Sequence, residues 1–247
     1  MKRPHIILQI ATFVAIIGFW EFLSTEGLVD PLFLPSPSKI LLSFANLEKS
    51  ILAALYETFL KTFISFLIGS VLGITVGVLI GSRPLLHDVI HPYIFGLYSI
   101  PRIIFLPLII LFLGIGFNST IFYAVFHTIL PVIIVVSGGV KNIDRRLIYY
   151  AISLGASGWQ IYSKVILPAA LPSIISALRL GIIFSLLGTL IAEMYLSLGG
   201  VGFLMIKLTF AFKTAELFAV TLLVALLAII ISTGLGEVSK RIEEKRT

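Results

Sequence analysis

The sequence predicts an all-α membrane protein with six transmembrane helices, and its composition, its apolar segments and its charge placement all favour that class. Of the 247 residues, 58% are hydrophobic and only 12% are charged, whereas about a quarter of the residues in a soluble domain are charged. Six segments approach or exceed the ~20 apolar residues that a helix needs to cross a bilayer. The chain has no cysteine, which excludes disulfides and thiolate metal sites.

The apolar segments define one transmembrane domain that covers residues 1–247. The first segment follows the basic pair Lys2-Arg3, as a secretory signal would, but it is too long and lacks a small-residue cleavage site. We therefore expect it to be retained as a span. The third and fifth spans are less uniform because they contain Arg102 and Arg179. The predicted spans are residues 6–23, 62–81, 89–117, 120–140, 169–196 and 217–236.

Lysine and arginine placement predicts that both termini are cytoplasmic, because cytoplasmic loops of membrane proteins are enriched in these residues. With that orientation, eleven basic residues lie inside and five lie outside. The inner residues are Lys2, Arg3, Arg83, Lys141, Arg145, Arg146, Lys164, Lys240, Arg241, Lys245 and Arg246, and the outer ones are Lys39, Lys49, Lys61, Lys207 and Lys213. Clusters at span ends explain the net charge of +6, so no nucleic-acid partner is expected.

The outer loop between spans one and two contains the sequence Leu-Pro-Ser-Pro-Ser at residues 34–38. Prolines keep the preceding residues extended, and Ser38 is suited to cap a short helix that continues through Ile40 and Leu41. We expect this helix to lie along the outer surface or to pack on the helical bundle.

Span two carries glycines at a regular spacing of four residues, which places them on one helix face. Such a glycine ridge lets another backbone approach closely. The sequence leaves open whether the neighbour is in the same subunit or in a second copy. The ridge residues are Gly69, Gly73, Gly77 and Gly81.

The stretch between spans four and five, residues 141–168, differs from the other loops. Its apolar residues Leu147, Ile148, Ala151 and Leu154 fit one face of a helix. Residues 155–158 are all small and permit a sharp turn, and a second amphipathic stretch then leads to Leu167-Pro168. A half-apolar helix–turn–helix in a cytoplasmic loop is suited to docking another protein.

Residues 149–181 of this stretch resemble the "EAA" loop of binding-protein-dependent ABC transporter permeases, and most closely those of the nitrate/taurine/alkanesulfonate group. The resemblance extends over nearly the whole chain, since further motifs agree in order and spacing. These are the 34–38 sequence, Pro101 with Leu106-Pro107-Leu108, Leu113-Gly114-Ile115-Gly116, and Ile191-Ala192-Glu193-Met194.

This resemblance implies a MetI-like fold and the membrane-spanning permease subunit of an ATP-driven importer, in the cytoplasmic membrane of a prokaryote. It further implies cytoplasmic ABC ATPase subunits, an extracytoplasmic substrate-binding protein and a second permease copy, as a homodimer. ATP hydrolysis would belong to the partner subunit, without a cofactor or a metal in this chain. The solute would be a nitrate-, sulfonate- or taurine-like anion or a vitamin precursor, moved by alternating access.

The same resemblance assigns residues 141–168 to coupling with the ATPase. The E-A-A positions hold Tyr149, Tyr150 and Ala151, so tyrosines replace the usual glutamate and the first alanine. Two tyrosines supply apolar area and hydroxyl groups instead of a charge. The remaining coupling residues are Leu154, the central Gly155, Ala156, and the closing pair Leu167 and Pro168.

Two other functions are alternatives to that of an importer subunit. An ion-gradient-driven transporter or channel needs buried ionisable residues, for which Arg102, Arg179 and Glu193 are the candidates. Of these, Arg179 and Glu193 are assigned to the translocation pathway or its gate. Residues 155–158 match the G-x-S-G of an intramembrane protease, but no histidine follows His127 to serve as the base. The chain also lacks a phosphate-binding G-x-x-x-x-G-K-[ST] loop.

Overall fold

The computed structural model describes residues 3–47 and 50–244, with side chains described from residue 6 to 45, at 47, and from 51 to 234. Lys2, Lys49, Lys245 and Arg246 of the basic-residue count lie outside the described residues. The helices are α1 (Arg3–Thr25), α2 (Pro37–Ser43), α3 (Ser50–Gly81), α4 (Pro84–Ser99), α5 (Leu106–Leu113), α6 (Phe117–Lys141), α7 (Arg145–Ser153), α8 (Gly158–Ile161), α9 (Leu167–Leu196), α10 (Val201–Phe210) and α11 (Thr214–Glu244).

Within these residues, five helical segments are long and apolar enough to cross a bilayer, and a bent pair brings the number to six. The bent pair joins Pro84–Ser99 to Arg102–Leu113 at 84°. The predicted third span, 89–117, is therefore not one straight helix. Pro101 accounts for the break, because proline disfavours a helical conformation in the residue before it, and Ile100 is extended.

The second span begins earlier than we expected. Residues 62–81 form only the later part of α3, which starts at Ser50. Lys61 was counted as an outer-loop residue, and that placement is wrong because Lys61 lies inside this helix with a fully buried side chain. The mid-helix lysine and the preceding Glu57 shortened the apolar stretch on which the prediction rested.

The fifth span continues without interruption from Gly158 to Leu196. We expected Leu167-Pro168 to close the preceding segment, but the helix passes through this pair. A π-helical turn at Tyr162–Ile166 precedes it, in which the Leu167 N–H donates to the Tyr162 carbonyl. Such a widened turn accommodates proline, which has no N–H of its own to donate.

Helices α3, α6 and α9 pack against one another and form the centre of the subunit. The glycine ridge of α3 contacts α6 of the same chain. A Cβ atom at Gly73 would lie 2.7 Å from Cγ1 of Val132, and one at Gly77 would lie 2.8 Å from Cβ of Val136. The two backbones therefore approach closely because residues without side chains line the contact.

The outer loop is fixed to the bundle by polar contacts. The Trp20 indole donates to the Pro35 carbonyl at 3.1 Å. Helix α2 is capped by Ser36, which accepts from the Lys39 N–H, and not by Ser38 as we expected. Pro37 is suited to the first helical position and so sets the start. Ser38 instead donates to Glu21 through its N–H and its hydroxyl, at 3.0 and 2.6 Å.

Candidate functional site

Residues 141–168, here called the coupling segment, contain α7, a tight turn and the start of the long helix that becomes α9. Asp144 begins α7, because its carboxylate accepts from the Arg146 N–H at 2.9 Å. The Arg146 guanidinium also pairs with it at 2.7 Å. These hydrogen bonds hold the pKa of Asp144 below its ordinary value, so the cap stays ionised at neutral pH.

The turn after α7 has the hydrogen bonds of a Schellman motif. The Ala156 N–H donates to the Ala151 carbonyl at 3.0 Å, and the Gly155 N–H donates to the Ile152 carbonyl at 2.9 Å. Gly155 has a φ of 77°, a conformation that side chains other than glycine rarely adopt. A Cβ there would meet nothing within 4 Å. Glycine is therefore required by the backbone conformation and not by a lack of space.

The helix beyond the turn starts with a capping box. The Gln160 side chain accepts from the Ser157 N–H at 2.8 Å, and the Ser157 hydroxyl accepts from the Gln160 N–H at 3.4 Å. Each residue thus satisfies a backbone donor of the other. Local hydrogen bonds therefore cap both helices that flank the turn at the tip of the coupling segment.

Large apolar side chains cover the outer side of this tip. The exposed fractions are 61% for Tyr149, 66% for Tyr150, 87% for Leu154 and 77% for Trp159. None of the residues of α7 is buried. Tyr149, Tyr150 and Leu154 lie outside the candidate spans, and Trp159 lies in the first turn of the helix 158–196. An exposed apolar patch in this position is typical of an interaction surface.

The inner side of the coupling segment rests on the ends of the central helices. Ile143, Ile148 and Ile161 pack against a core cluster formed by α3, α6 and α9. The Tyr162 hydroxyl lies 2.9 Å from that of Ser82 at the end of α3. Together with the unbroken helix through Leu167 and Pro168, these contacts connect the exposed tip to three membrane-spanning helices.

The opposite end of the bundle holds a polar cluster of the buried residues Thr58, Lys61 and Glu193 and the partly exposed Glu57, here called the outer cluster. The Lys61 ammonium lies 2.7 Å from Glu57 and 3.3 Å from Glu193. Lys61 and Glu193 are both fully buried. The Thr58 hydroxyl donates to Glu193 at 2.7 Å. The Glu193 carboxylate is therefore enclosed by donors from α3.

The outer cluster also binds the turn between α9 and α10. The Gly202 N–H donates to Glu193 at 3.0 Å, and the Val201 N–H donates to Thr58 at 2.8 Å. Lys61 donates to the Ser197 hydroxyl at 2.9 Å. We singled out Glu193 from the sequence but missed Lys61 and Thr58. The spacing of Glu57 and Lys61 by four residues was the available signal for an ion pair within a helix.

Arg179 is not part of that cluster. It lies fourteen residues before Glu193 in α9, which corresponds to about 21 Å along a helix axis. Its side chain is half-buried, and it makes no hydrogen bond or ion pair with any residue that the structure describes. The two candidate pathway residues therefore do not form one site.

A third polar feature surrounds Arg102 at the break of the bent span. The sequence indicated Arg102 as a candidate buried ionisable residue, but not the residues around it. Its guanidinium donates to the His127 carbonyl at 3.1 Å and lies over the Tyr98 and Phe184 rings, at 4.9 and 5.7 Å. Pro131 has no N–H, so it leaves the carbonyl four residues earlier without its helical partner. The spacing of His127 and Pro131 was therefore a readable signal for a side-chain donor.

Comparison with known proteins shows the family of the chain. The family described as "Binding-protein-dependent transport system inner membrane component" matches residues 69–245. The taurine transport system permease protein TauC of Escherichia coli (strain K12) is 29% identical over 245 residues, covering 96% of this chain and 89% of the relative. A putative aliphatic sulfonates transport permease protein, SsuC of the same organism, is 32% identical over 238 residues, covering 94% and 87%.

Solved structures show the same fold. A chain of the inward-facing MetNI methionine ABC transporter has a TM-score of 0.69 and 25% sequence identity, covering 77% of this chain and 95% of that one. A chain of a bacterial ABC transporter that imports the acidic polysaccharide alginate has a TM-score of 0.66 and 17% identity, covering 97% of both. The chain thus belongs to the family of binding-protein-dependent transport system inner membrane components, as a multi-pass cytoplasmic membrane protein that serves as the permease subunit of an ABC importer.

Proposed function

We propose that the coupling segment docks on a cytoplasmic ABC ATPase and that the permease thereby imports a small sulfonate or a related anion. The observation that carries the docking site is the apolar tip, which is exposed in Tyr149, Tyr150, Leu154 and Trp159 and fixed by caps on both sides. ATP-driven movement of the partner would displace the tip, and the continuous helix 158–196 would carry that displacement into the bundle.

A charge placed on the tip tests the docking site. Leu154→Asp puts a carboxylate where an apolar contact is proposed, and burial of an unpaired charge is unfavourable. We expect loss of most ATPase copurification, while the permease still inserts into the membrane. Leu28→Asp is the matched control, because Leu28 is also exposed, at 64%, but lies in the loop after the C-terminal end of α1 and not in the coupling segment. Unchanged copurification with Leu154→Asp would exclude the tip as the docking site.

The docking site requires the coupling segment to be cytoplasmic, with both termini on the same side. Without Lys61, which lies inside α3, the predicted count is eleven inner basic residues against four outer ones, and this excess supports the orientation. Because the chain has no cysteine, single cysteines at Gln160 and Ala45 can be labelled with a membrane-impermeant reagent. Both positions are exposed. In intact cells we expect labelling at position 45 only. Labelling at position 160 only would show that the orientation is opposite to the proposed one.

We further propose that two copies of the chain form the translocation path and that an extracytoplasmic binding protein delivers the solute. Helix α1 supports a partner in the membrane, since none of its residues from 6 to 23 is buried within the subunit. The stoichiometry of the purified transporter tests the homodimer: two permease copies are expected for two ATPases. A single copy, or one copy with a different permease, would contradict it.

The substrate class rests on the relatives, whose names refer to taurine and aliphatic sulfonates. Both are small molecules with a sulfonate group. Uptake of labelled taurine and of a short alkanesulfonate, by cells that express the transporter with its binding protein, tests this class. Uptake that depends on ATP and that excess unlabelled sulfonate suppresses is expected. Transport of only neutral or cationic solutes would contradict the proposal.

A further inference from the structure

The break in the bent span brings a cationic side chain and two unpaired polar atoms into the middle of the bundle. Arg102 is 8% exposed, Tyr123 is fully buried and His127 is 8% exposed. Among the residues that the structure describes, Arg102 makes no ion pair. The Tyr123 hydroxyl and the His127 Nδ1 atom are buried without a hydrogen-bond partner. Buried polar atoms are normally paired, so two orphans beside one cation require an explanation.

These three side chains lie close together. The Tyr123 and His127 rings are 5.7 Å apart between centroids, and His127 and Phe184 are 5.8 Å apart. The Arg102 guanidinium contacts the same Phe184 ring and the His127 carbonyl. The phenol hydroxyl is a donor, as are all five N–H groups of the guanidinium. The His127 ring donates to the Phe184 backbone carbonyl, so its Nδ1 atom is an acceptor in the neutral ring. The cluster is therefore rich in donors and lacks a carboxylate.

The cluster also lies at mid-membrane depth. His127 is ten residues into α6, about 15 Å along a helix axis, and the hydrocarbon core of a bilayer is about 30 Å thick. A charge at that depth is costly and marks a functional site by default. The helix break has the same implication, because non-helical backbone at membrane depth is tolerated only within protein or beside a water-filled cavity. Discontinuous helices form midplane binding sites in other transporters.

We propose that Arg102 and the Tyr123 hydroxyl, beside the His127 ring, form an anion-binding site on the translocation path, for the sulfonate group of the substrate. The carbonyl bond to His127 uses one of the five guanidinium donors. The faces of the guanidinium lie over Tyr98 and Phe184, so the remaining N–H groups in its plane would bind the anion. This site rests on the proposed sulfonate import and goes beyond it, because it names the residues that receive the anion inside the membrane. In the conformation described here the site is closed, so we expect it to open during ATP turnover.

Two thiol reagents of opposite charge test the site directly. Tyr123→Cys introduces the only thiol in the protein, and the shortened side chain leaves room for a reagent. The probes are 2-sulfonatoethyl methanethiosulfonate, which is itself an ethanesulfonate, and its cationic trimethylammonium analogue. Their reaction rates with the permease chain, each divided by the rate of the same reagent with a small free thiol, are compared in the purified permease–ATPase complex with and without Mg-ATP. The ratio of the two rates cancels any effect of Arg102 on the thiol itself.

During turnover we expect the anionic reagent to react at least about tenfold faster, since a nearby cation in a partly dry site gives interactions of that order. Arg102→Gln should bring the ratio close to one, whereas Arg102→Lys should keep most of the preference. Arg83→Gln is the matched control, because it removes the same charge from an exposed position at the start of α4 and should leave the ratio unchanged.

Other outcomes separate the possible failures. If Arg102 serves only to bond the His127 carbonyl, the ratio will not depend on its charge, and the anion site is refuted. A thiol that reacts in no state would also refute it. An anionic preference without any change on adding ATP would retain the anion site and contradict the proposed coupling to the ATPase. If Tyr123→Cys does not assemble with the ATPase, His127→Cys provides the second thiol position for the same comparison.

Discussion

The coupling segment and the outer cluster are the two ends of the same helical bundle, and they are stabilised in opposite ways. At the coupling end, local caps fix a turn whose apolar side chains remain exposed. At the outer end, Lys61 and Glu193 are fully buried and bond to one another and to the α9–α10 turn. The first end leaves apolar side chains exposed, which we propose that another protein covers, whereas the second satisfies its own polar groups.

This difference indicates how movement would be distributed along the permease. The coupling tip connects through one continuous helix to α9, and the far end of α9 carries Glu193, which is bonded to α3. A displacement at the tip therefore meets a fixed point at the other end of the same helix. Tilting of α9 as a rigid body about that point is expected to cost less free energy than sliding of α9 along α3, since sliding would break a buried ion pair.

The largest predicted effect comes from removing the cation of the outer cluster. Lys61→Met leaves the Glu193 carboxylate buried without its counter-charge, and breaking a buried pair in this way costs about 3–5 kcal/mol of stability. Thermal unfolding of the permease in detergent measures it. The double variant Lys61→Met/Glu193→Gln should recover much of the loss, because the amide keeps bonds to Thr58 and Gly202 without a charge.

If Lys61→Met unfolds at the same temperature as the original protein, the outer end does not act as a fixed point, and the contrast between the two ends fails. A double variant as unstable as the single one would show that packing of the lysine stem matters more than its charge. In either case ATPase copurification should persist in the variants that fold, because the tip is at the other end.

A smaller effect is expected at the glycine ridge, which joins the two ends. A Cβ at Gly73 would lie 2.7 Å from Cγ1 of Val132, so Gly73→Ala should force α3 and α6 apart at a cost of about 1–3 kcal/mol. Gly96→Ala in α4 is the matched control, since a Cβ there meets nothing within 4 Å and alanine favours helix. Equal melting temperatures for the two variants would contradict the close packing.

The smallest effect concerns the cap of α7. The pKa of Asp144 is lowered by its hydrogen bonds to Arg146, so its stabilisation is complete above its ordinary pKa and is lost as the pH falls through the lowered value. Amide exchange of α7 should therefore not respond to its titration between pH 6 and 8, beyond the intrinsic chemistry of exchange. Asp144→Ala should expose the first amides of α7 to several-fold faster exchange, and Asp144→Asn should retain most of the protection. Equal exchange rates in the original protein and in both variants would show that the Asp144 cap does not stabilise α7.

The helical class and the approximate spans were predictable because apolar length reports directly on the bilayer. The expected importer subunit was confirmed by the family match. The predictions that were wrong depended on single polar residues or on single prolines. Lys61 resembled a loop residue, because a lysine paired inside a membrane helix cannot be told from an exposed one without its partner Glu193, which is 132 residues away.

Prolines produced the other differences. Pro101 breaks the third span while Pro168 lies within a continuous helix, and a π-helical turn accounts for the second case. The wider hydrogen-bond spacing of a π-helical turn does not change the periodicity of apolar side chains, so it cannot be predicted from the sequence. The Arg102 cluster was missed for a related reason, since it joins residues from α6, α9 and the break in the bent span, which only the fold brings together.

The most direct test of the central claim, that the capped tip transmits ATPase movement, compares Gly155→Val with Gly158→Val. A Cβ meets nothing within 4 Å at either position, but only Gly155 has a positive φ, of 77°. A β-branched residue is strained there, so Gly155→Val should distort the turn and strongly reduce ATP-driven uptake, with normal insertion into the membrane. Gly158→Val, at the start of a helix, should transport near the original rate. Full transport with normal ATPase copurification by Gly155→Val would contradict the account.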